Sequence, residues 1–332
     1  MKMIKIIHIN LSRGFAGAER HMIDLINYQS NGYKTYLIKS KNNNFINYSN
    51  VKNKTKIYKI SKFFKRNSLK KIIQEINPDI IHTHLGDAGR IVSKKWGNFK
   101  LVATCHMNYK RKHYTNHDGI IVLNKTQENT IKKQFYNKIL RINLWAPSIK
   151  SKGQSKIYLL NKLNIKSKSY IFGSIGRFHY QKGFDLILKI FNKLQLKNCY
   201  LVLIGNGHTE YKKIYKNNNK IKILGHKNNP DDYLKIFNTF VFPSRWESFG
   251  LSLIEAMRKN LPIISSLNEG NKDWIKKYNV TLFNSDNENQ LKKALLKHYL
   301  KRPKKQKYNL SNFKYLSLYL IPCGYGIVEI YY

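Results

Sequence analysis

The chain is poor in cysteine, in acidic side chains and in long apolar runs, and each shortage removes a class of protein. Three cysteines, Cys105, Cys199 and Cys323, lie far apart in 332 residues. Their spacing suits neither a zinc site nor a disulfide scaffold, and they fit a reducing compartment. No uninterrupted apolar stretch approaches the roughly 20 residues that span a bilayer. The first residues, beginning Met1-Lys2-Met3, are too polar for a signal peptide and read as a first buried strand. These absences predict a cytoplasmic protein, soluble or peripheral to the inner face of the cytoplasmic membrane.

Acidic residues number 18 against 61 lysines and arginines, a formal net charge of +43. Such an excess raises the question of a nucleic-acid ligand, and its distribution answers it. Residues 1–147 hold 28 basic and 7 acidic side chains and the remainder 33 and 11, so the excess runs along the whole chain. With the heavy use of Lys, Asn and Ile, this is the mark of an A·T-rich coding bias. No helix-turn-helix, zinc-finger or ribonucleoprotein pattern is present, and no nucleic-acid partner is expected. Two stretches do interleave cations with aromatics. One begins at Lys59 and holds Phe63, Phe64, Lys65, Arg66, Lys70 and Lys71, read as an amphipathic helix running to about Ile76; the other is Tyr109-Lys110-Arg111-Lys112-His113-Tyr114. Both suit an anionic membrane surface.

The length implies two domains. Strand-like runs at residues 4–9, 34–38, 80–84, 101–105 and 120–123 alternate with helical stretches at about 18–31 and 125–136. A second series follows at 170–175, 200–204, 220–224, 239–242 and 262–265. This is the alternation of an α/β fold with doubly wound parallel sheets. Leu144-Trp145-Ala146-Pro147-Ser148 sets the boundary, giving domains 1–147 and 148–312. Residues 313–332, nearly free of charge and broken by Pro322, Gly324 and Gly326, form an atypical apolar tail that suggests an altered reading frame or truncation.

The most informative stretch runs from Pro243 to Met257. Gly250, Leu253, Ile254 and Met257 fall at helical spacing after an apolar strand, so Glu247 precedes a helix and Glu255 lies in its second turn. Amide groups of Phe249, Gly250 and Leu251 at that helix end suit a phosphate, and two carboxylates beside it suit hydroxyls. The plain alternative makes Glu247 a loop cap and Glu255 a solvated helix residue.

The surrounding residues decide between them. Pro243-Ser244, then Glu247-Ser248-Phe249-Gly250-Leu251 and Glu255-Ala256-Met257, resemble the signature of glycosyltransferase family 4, the retaining, metal-independent group with the GT-B fold. Asn260 stands where that family carries a helix-ending glycine, and asparagine tolerates the left-handed backbone required there. Gly176-Arg177 with Lys182-Gly183 is similar to the family's Gly-Arg, Lys-Gly motif for the donor pyrophosphate. Ala16-Gly17-Ala18-Glu19-Arg20 resembles its glycine loop, and Thr104-Cys105-His106 its Thr-x-His. The likeness spans residues 4–300.

The resemblance implies two Rossmann-like domains facing a cleft, acceptor-side first and donor-binding second. It implies transfer of a hexose from a UDP- or GDP-sugar to a glycan or lipid-linked acceptor, in lipopolysaccharide or surface polysaccharide synthesis. No cofactor and no metal are expected, and no Asp-x-Asp motif is present. Arg177 and Lys182 would neutralise the departing diphosphate with Gly17 and the Gly250 helix end. Glu255 would hold the ribose, Glu247 the donor sugar, and His106 would contact that sugar. His82 and His84 read as structural. Gly205, Gly207 and Gly225 would wall the nucleotide. A sugar-nucleotide epimerase, a phosphorylase, or a non-catalytic basic polyanion-binding protein are the alternatives.

Overall fold

The computed structural model describes residues 3–44, 51, 54–61, 63–144, 153–207, 211, 215, 218–227 and 229–311. The chain divides into two compact units, the second running from Ala146 to Asn312. The boundary expected at Pro147, Cys323 and the atypical 313–332 tail lie outside the described residues.

The first unit runs β1 (Lys5–Asn10), α1 (Gly17–Gln29), β2 (Lys34–Ser40), β3 (Lys56–Ile60), α2 (Lys65–Ile76), β4 (Ile80–His84), α3 (Gly86–Ile91), β5 (Lys100–Thr104), β6 (Gly119–Val122), α4 (Lys125–Lys132) and β7 (Lys138–Arg141). Seven strands pair in the order β3-β2-β1-β4-β5-β6-β7, and all pairings are parallel. The apolar runs expected as central strands are central, buried on both faces as parallel strands must be.

The second unit runs α5 (Lys156–Lys162), β8 (Tyr170–Ile175), α6 (Phe184–Leu194), β9 (Cys199–Ile204), β10 (Ile221–Ile223), α7 (Asp231–Leu234), β11 (Thr239–Phe242), α8 (Leu251–Arg258), β12 (Ile263–Leu267), β13 (Thr281–Asn284) and α9 (Glu288–Lys301). Its six strands pair in the order β10-β9-β8-β11-β12-β13, again all parallel. Phe172, Phe184, Leu201, Val241 and Leu295 anchor its core. In each unit the chain reverses direction across the sheet between the first and fourth strands, and ligands of open α/β sheets bind at such switch points.

Three expectations are corrected. Lys59 and Ile60 belong to strand β3, and the helix begins only at Lys65, where Leu69, Ile73 and Ile76 form its buried stripe. The helix expected to reach residue 136 stops at Lys132, because the Gln134 and Phe135 amides both turn back to the Ile131 carbonyl. Tyr109 and Tyr114 do not offer aromatics to a membrane: their rings stack 5.4 Å apart, and Tyr114 is buried among Ala103, Ile120 and Phe135. Phe63 and Phe64, in contrast, are 86 % and 69 % exposed. No helix among the described residues is long and apolar enough to cross a membrane.

Candidate functional site

The second unit's switch point lies between β8 and β11, and the loops leaving these strands carry most of the residues singled out from sequence. The β8 loop contains Gly176, Arg177 and a 3-10 turn (Tyr180–Lys182) that ends in Gly183. The β11 loop runs from Pro243 to Gly250. They are pressed together backbone to backbone: Gly183 adopts φ +66°, and a Cβ there would lie 2.0 Å from the Pro243 carbonyl oxygen. The Arg245 amide donates to the Gln181 carbonyl at 2.8 Å.

Side chains complete the clamp. Lys182 Nζ lies 2.5 Å from Glu247 Oε1, and the Ser244 hydroxyl donates to the same carboxylate oxygen at 2.9 Å. Glu247 is therefore a buried, charge-balanced acceptor rather than a solvated loop acid. Arg245 grips Asp185 through both terminal nitrogens at 2.7 Å and donates from Nε to Asp286 at 2.6 Å. Its guanidinium also covers the Tyr180 ring, 3.9 Å from the centroid. Hydrogen bonding to Asp185 pushes its pKa further upward, so it is a permanent cation with its charge already matched.

Gly250 heads α8 at φ +100°, and a Cβ there would approach Phe242 to 2.9 Å. Only glycine meets both demands comfortably. Phe249 is buried against Trp274, Leu251 is half-buried, and Glu255 is buried in the second turn of α8. The helix closes on Asn260 at φ +60°, with the Leu261 amide bonded back to Ala256 and the Asn260 amide to Met257. This is the left-handed cap expected of asparagine in glycine's place.

The loops after β8, β9 and β10 are laced just as closely. Gly176 donates to Ile204, Phe178 to Asn206 and Gly205 to Gly225, at 2.7–2.9 Å. A Cβ on Gly205 would collide with the Gly176 carbonyl. Arg177 is exposed on this frame and makes no side-chain hydrogen bond or ion pair among the described residues. The structure thus brings Lys182, Glu247 and the Gly250 helix end into one clamp, with Arg177 on the same loop as Lys182.

In the first unit, Gly17 opens α1 after β1, and the buried Glu19 accepts the Ala16 amide at 2.7 Å. Asn43 ties the loop by donating to the Gly14 carbonyl at 2.9 Å. His106 is buried beyond β5, and burial holds its pKa well below the usual imidazole value. Its Nε2 lies 3.3 Å from His84 Nδ1.

Sequence reasoning assigned no role to Arg245, Asp185, Asn268 or Ser266. Ser266 and Asn268 both donate to the Ser244 carbonyl, at 2.6 and 3.1 Å, and hold the clamp from β12. Their partners are 22 to 60 positions away, a separation at which no local pattern signals contact.

Two parallel doubly wound units, one with a lysine and carboxylate clamp at its switch point, define a two-domain α/β protein of the Rossmann type. The family model described as "Glycosyl transferases group 1" matches residues 156–313, and "Glycosyl transferase 4-like" matches residues 14–143. The chain belongs to the group 1, family-4-like glycosyltransferases and has their GT-B fold. It is 30 % identical over 262 residues to an uncharacterized glycosyltransferase, MJ1059, of Methanocaldococcus jannaschii, an alignment covering 65 % of this chain and 63 % of that one. It is 27 % identical over 247 residues to the Escherichia coli UDP-Gal:alpha-D-GlcNAc-diphosphoundecaprenol alpha-1,3-galactosyltransferase, covering 63 % of each. The chain therefore spans about three fifths of the length of these two curated relatives. In fold it is similar to Anabaena Alr3699/HepE, solved with UDP and glucose, at a TM-score of 0.75 and 14 % identity over 90 % of this chain and 91 % of that one.

Proposed function

We propose that the chain transfers a hexose, with retention and without a metal at the donor, from a UDP- or GDP-sugar to a hydroxyl of a lipid-linked or surface-glycan acceptor. The observation that carries this reading is the Lys182–Glu247–Ser244 clamp beside the Gly250 helix end at a switch point. A diphosphate meets the helix N-terminus, Arg177 and Lys182, which are charges already in place and need no reorganisation as the leaving group forms. Arg177, exposed and without an ion-pair partner among the described residues, offers a bidentate fork, and Lys182 shares its charge between Glu247 and the phosphate. Glu255 accepts from the ribose and Glu247 from the sugar. For the first unit the reading carries Gly17 and His106 as donor contacts, His106 as a neutral hydrogen-bonding imidazole.

In the step itself, the acceptor oxygen bonds to the anomeric carbon on the face from which the diphosphate departs. The hydroxyl proton passes to a departing phosphate oxygen, so no enzymic nucleophile is needed. A lipid-linked acceptor is supported by the diphosphoundecaprenol acceptor in the name of the Escherichia coli relative and by Phe63 and Phe64, exposed beside Lys65, Arg66, Lys70 and Lys71. The test is mass spectrometry of products after incubation with UDP- and GDP-sugars, with and without diphosphate-lipid saccharides. Sugar added to the acceptor is the expected result. Isomerised donor would make the chain an epimerase, phosphate-dependent donor cleavage a phosphorylase, and salt-sensitive polyanion binding without turnover a binding protein.

A further inference from the structure

In the second unit the amino ends of β8 and β11 meet α5 and the end of α9 around a cavity of about 150 Å3, whose lining includes Lys156, Lys168, Ser169, Tyr170, Asn238 and Arg302. We propose that this cavity is a binding site for a phosphate group, carried by a small soluble phosphate ester or by a lipid headgroup. The clamp sits beyond the other end of the same two strands, and β8, six residues long, puts roughly 20 Å between them. The inference concerns this end of the second unit alone and stands whether or not the chain transfers a sugar.

Charge points to an anion. Three of the lining side chains are cations and none is a carboxylate. Among the described residues, Lys156, Lys168 and Arg302 make no ion pair and no side-chain hydrogen bond. Elsewhere in this unit cations meet acids: Lys189 with Glu288, Lys235 with Asp232 and Lys272 with Glu269. Desolvation, then the charges of Lys156 and Lys259, hold Lys305 below the ordinary lysine value, so a fourth cation stands near the same rim. The dipole at the carboxyl end of α9 accounts for a cation at Arg302, but not for three around one cavity.

The polar groups between the cations point to phosphate. Ser169 is 7 % exposed, and its hydroxyl is buried with no hydrogen-bond partner among the described residues, an orphan that a phosphate oxygen would satisfy. The Asn238 side-chain oxygen accepts the Ile171 amide at 2.8 Å, which leaves its NH2 group to donate. The backbone at Arg302 is fixed: its amide donates to the His298 carbonyl at 2.9 Å, its φ is +43°, and Pro303 follows. Its guanidinium stands 5.9 Å from the centroid of the Tyr170 ring, whose hydroxyl is itself hydrogen-bonded with that of Thr239 at 2.7 Å. Arg302 thus offers phosphate a planar fork, and the two lysines add point charges. The cavity is well below the roughly 300–1,000 Å3 of sites that enclose whole organic ligands. It takes the phosphate and leaves the rest of the molecule outside.

The test is calorimetric titration of the full-length protein with inorganic phosphate and with glycerol 3-phosphate. The Lys168→Gln, Arg302→Gln double variant should bind both about tenfold or more weakly. Lys292→Gln with Lys293→Gln, an equal loss of charge at exposed positions of α9 outside the cavity, should leave the affinity unchanged. Arg177→Ala, which alters the clamp end instead, should also keep this binding, so its failure and that of the donor reading are told apart. Ser169→Ala should weaken binding about 5- to 10-fold without lowering the melting temperature, since the hydroxyl has no partner in the fold among the described residues, and it decides even if the glutamine pair does not fold. Sedimentation with phosphatidic acid vesicles separates the sources: a loss of about tenfold in the glutamine pair assigns a lipid headgroup, and no loss assigns a soluble ester. No phosphate bound, equal weakening in the Lys292 and Lys293 control, loss of the binding in Arg177→Ala, or unchanged affinity in Ser169→Ala would each overturn the site.

Discussion

Lys182 and Glu247 lie 65 positions apart in sequence, yet the ammonium of one sits 2.5 Å from the carboxylate of the other. The contact joins two loops that leave different strands, so each residue holds the other's loop as well as its charge. Replacing either by alanine should lower turnover by about 100-fold or more. The double variant should be little worse than the worse single, because the two act as one unit. Losses that simply multiply in a kinetic double-mutant cycle would show that they act apart.

Arg245 is the clamp's second tie. Arg245→Ala leaves Asp185 without its bidentate partner and should cost about 1–3 kcal/mol of unfolding free energy in a urea titration. Arg245→Lys should recover only part of it, since one ammonium cannot span both carboxylate oxygens. Full rescue by lysine would mean that charge alone matters.

Gly183 packs against the Pro243 backbone in left-handed geometry. Gly183→Ala adds about 1–2 kcal/mol of backbone strain and a collision with a carbonyl that cannot rotate away. The expected result is a melting temperature lowered by several degrees together with weaker UDP-sugar binding in calorimetry. An alanine variant with unaltered binding would separate the two loops functionally.

Acid should destabilise both units. Burial lowers His117 in the first unit and His298 in the second to about 4. Between about pH 4 and 6.5 the unfolded chain binds protons at these positions and the native one does not, so unfolding free energy rises with pH across that window. The stability is fully present above about 6.5 and is lost as pH falls toward 4, on the order of 3 kcal/mol for each such histidine. Thermal melts at pH 7.5 and pH 5 should show the drop, and a flat profile would count against it.

Phe63 and Phe64 offer the test of membrane contact. Serine at both positions should cut co-sedimentation with anionic vesicles about tenfold or more, with no change in melting temperature. Equal sedimentation would leave the basic charge, not the rings, as the source of any binding.

The central strands were legible because parallel strands covered on both faces leave uninterrupted apolar runs: residues 80–84 and 239–242 were read without error. The missed strands β3, β7 and β13 are all sheet edges, where one side lacks a neighbour and polar residues interrupt the run. Glu247, Lys182, Gly250 and Asn260 were legible because a local spacing and a backbone demand mark them. Arg245 sat in the same stretch without a role, since its meaning lies in Asp185 and Asp286, which only the fold brings near. The pairing of His84 with His106 was hidden for the same reason, residues 22 positions apart on neighbouring strands.

Both sheets follow one wiring plan, with the first and fourth strands adjacent at the centre and later strands added outward. Growth or erosion at the margins, where β7 and β13 stand, leaves those central loops untouched. Exchanging only the peripheral strands β7 and β13 with their turns should therefore leave the clamp between β8 and β11 intact.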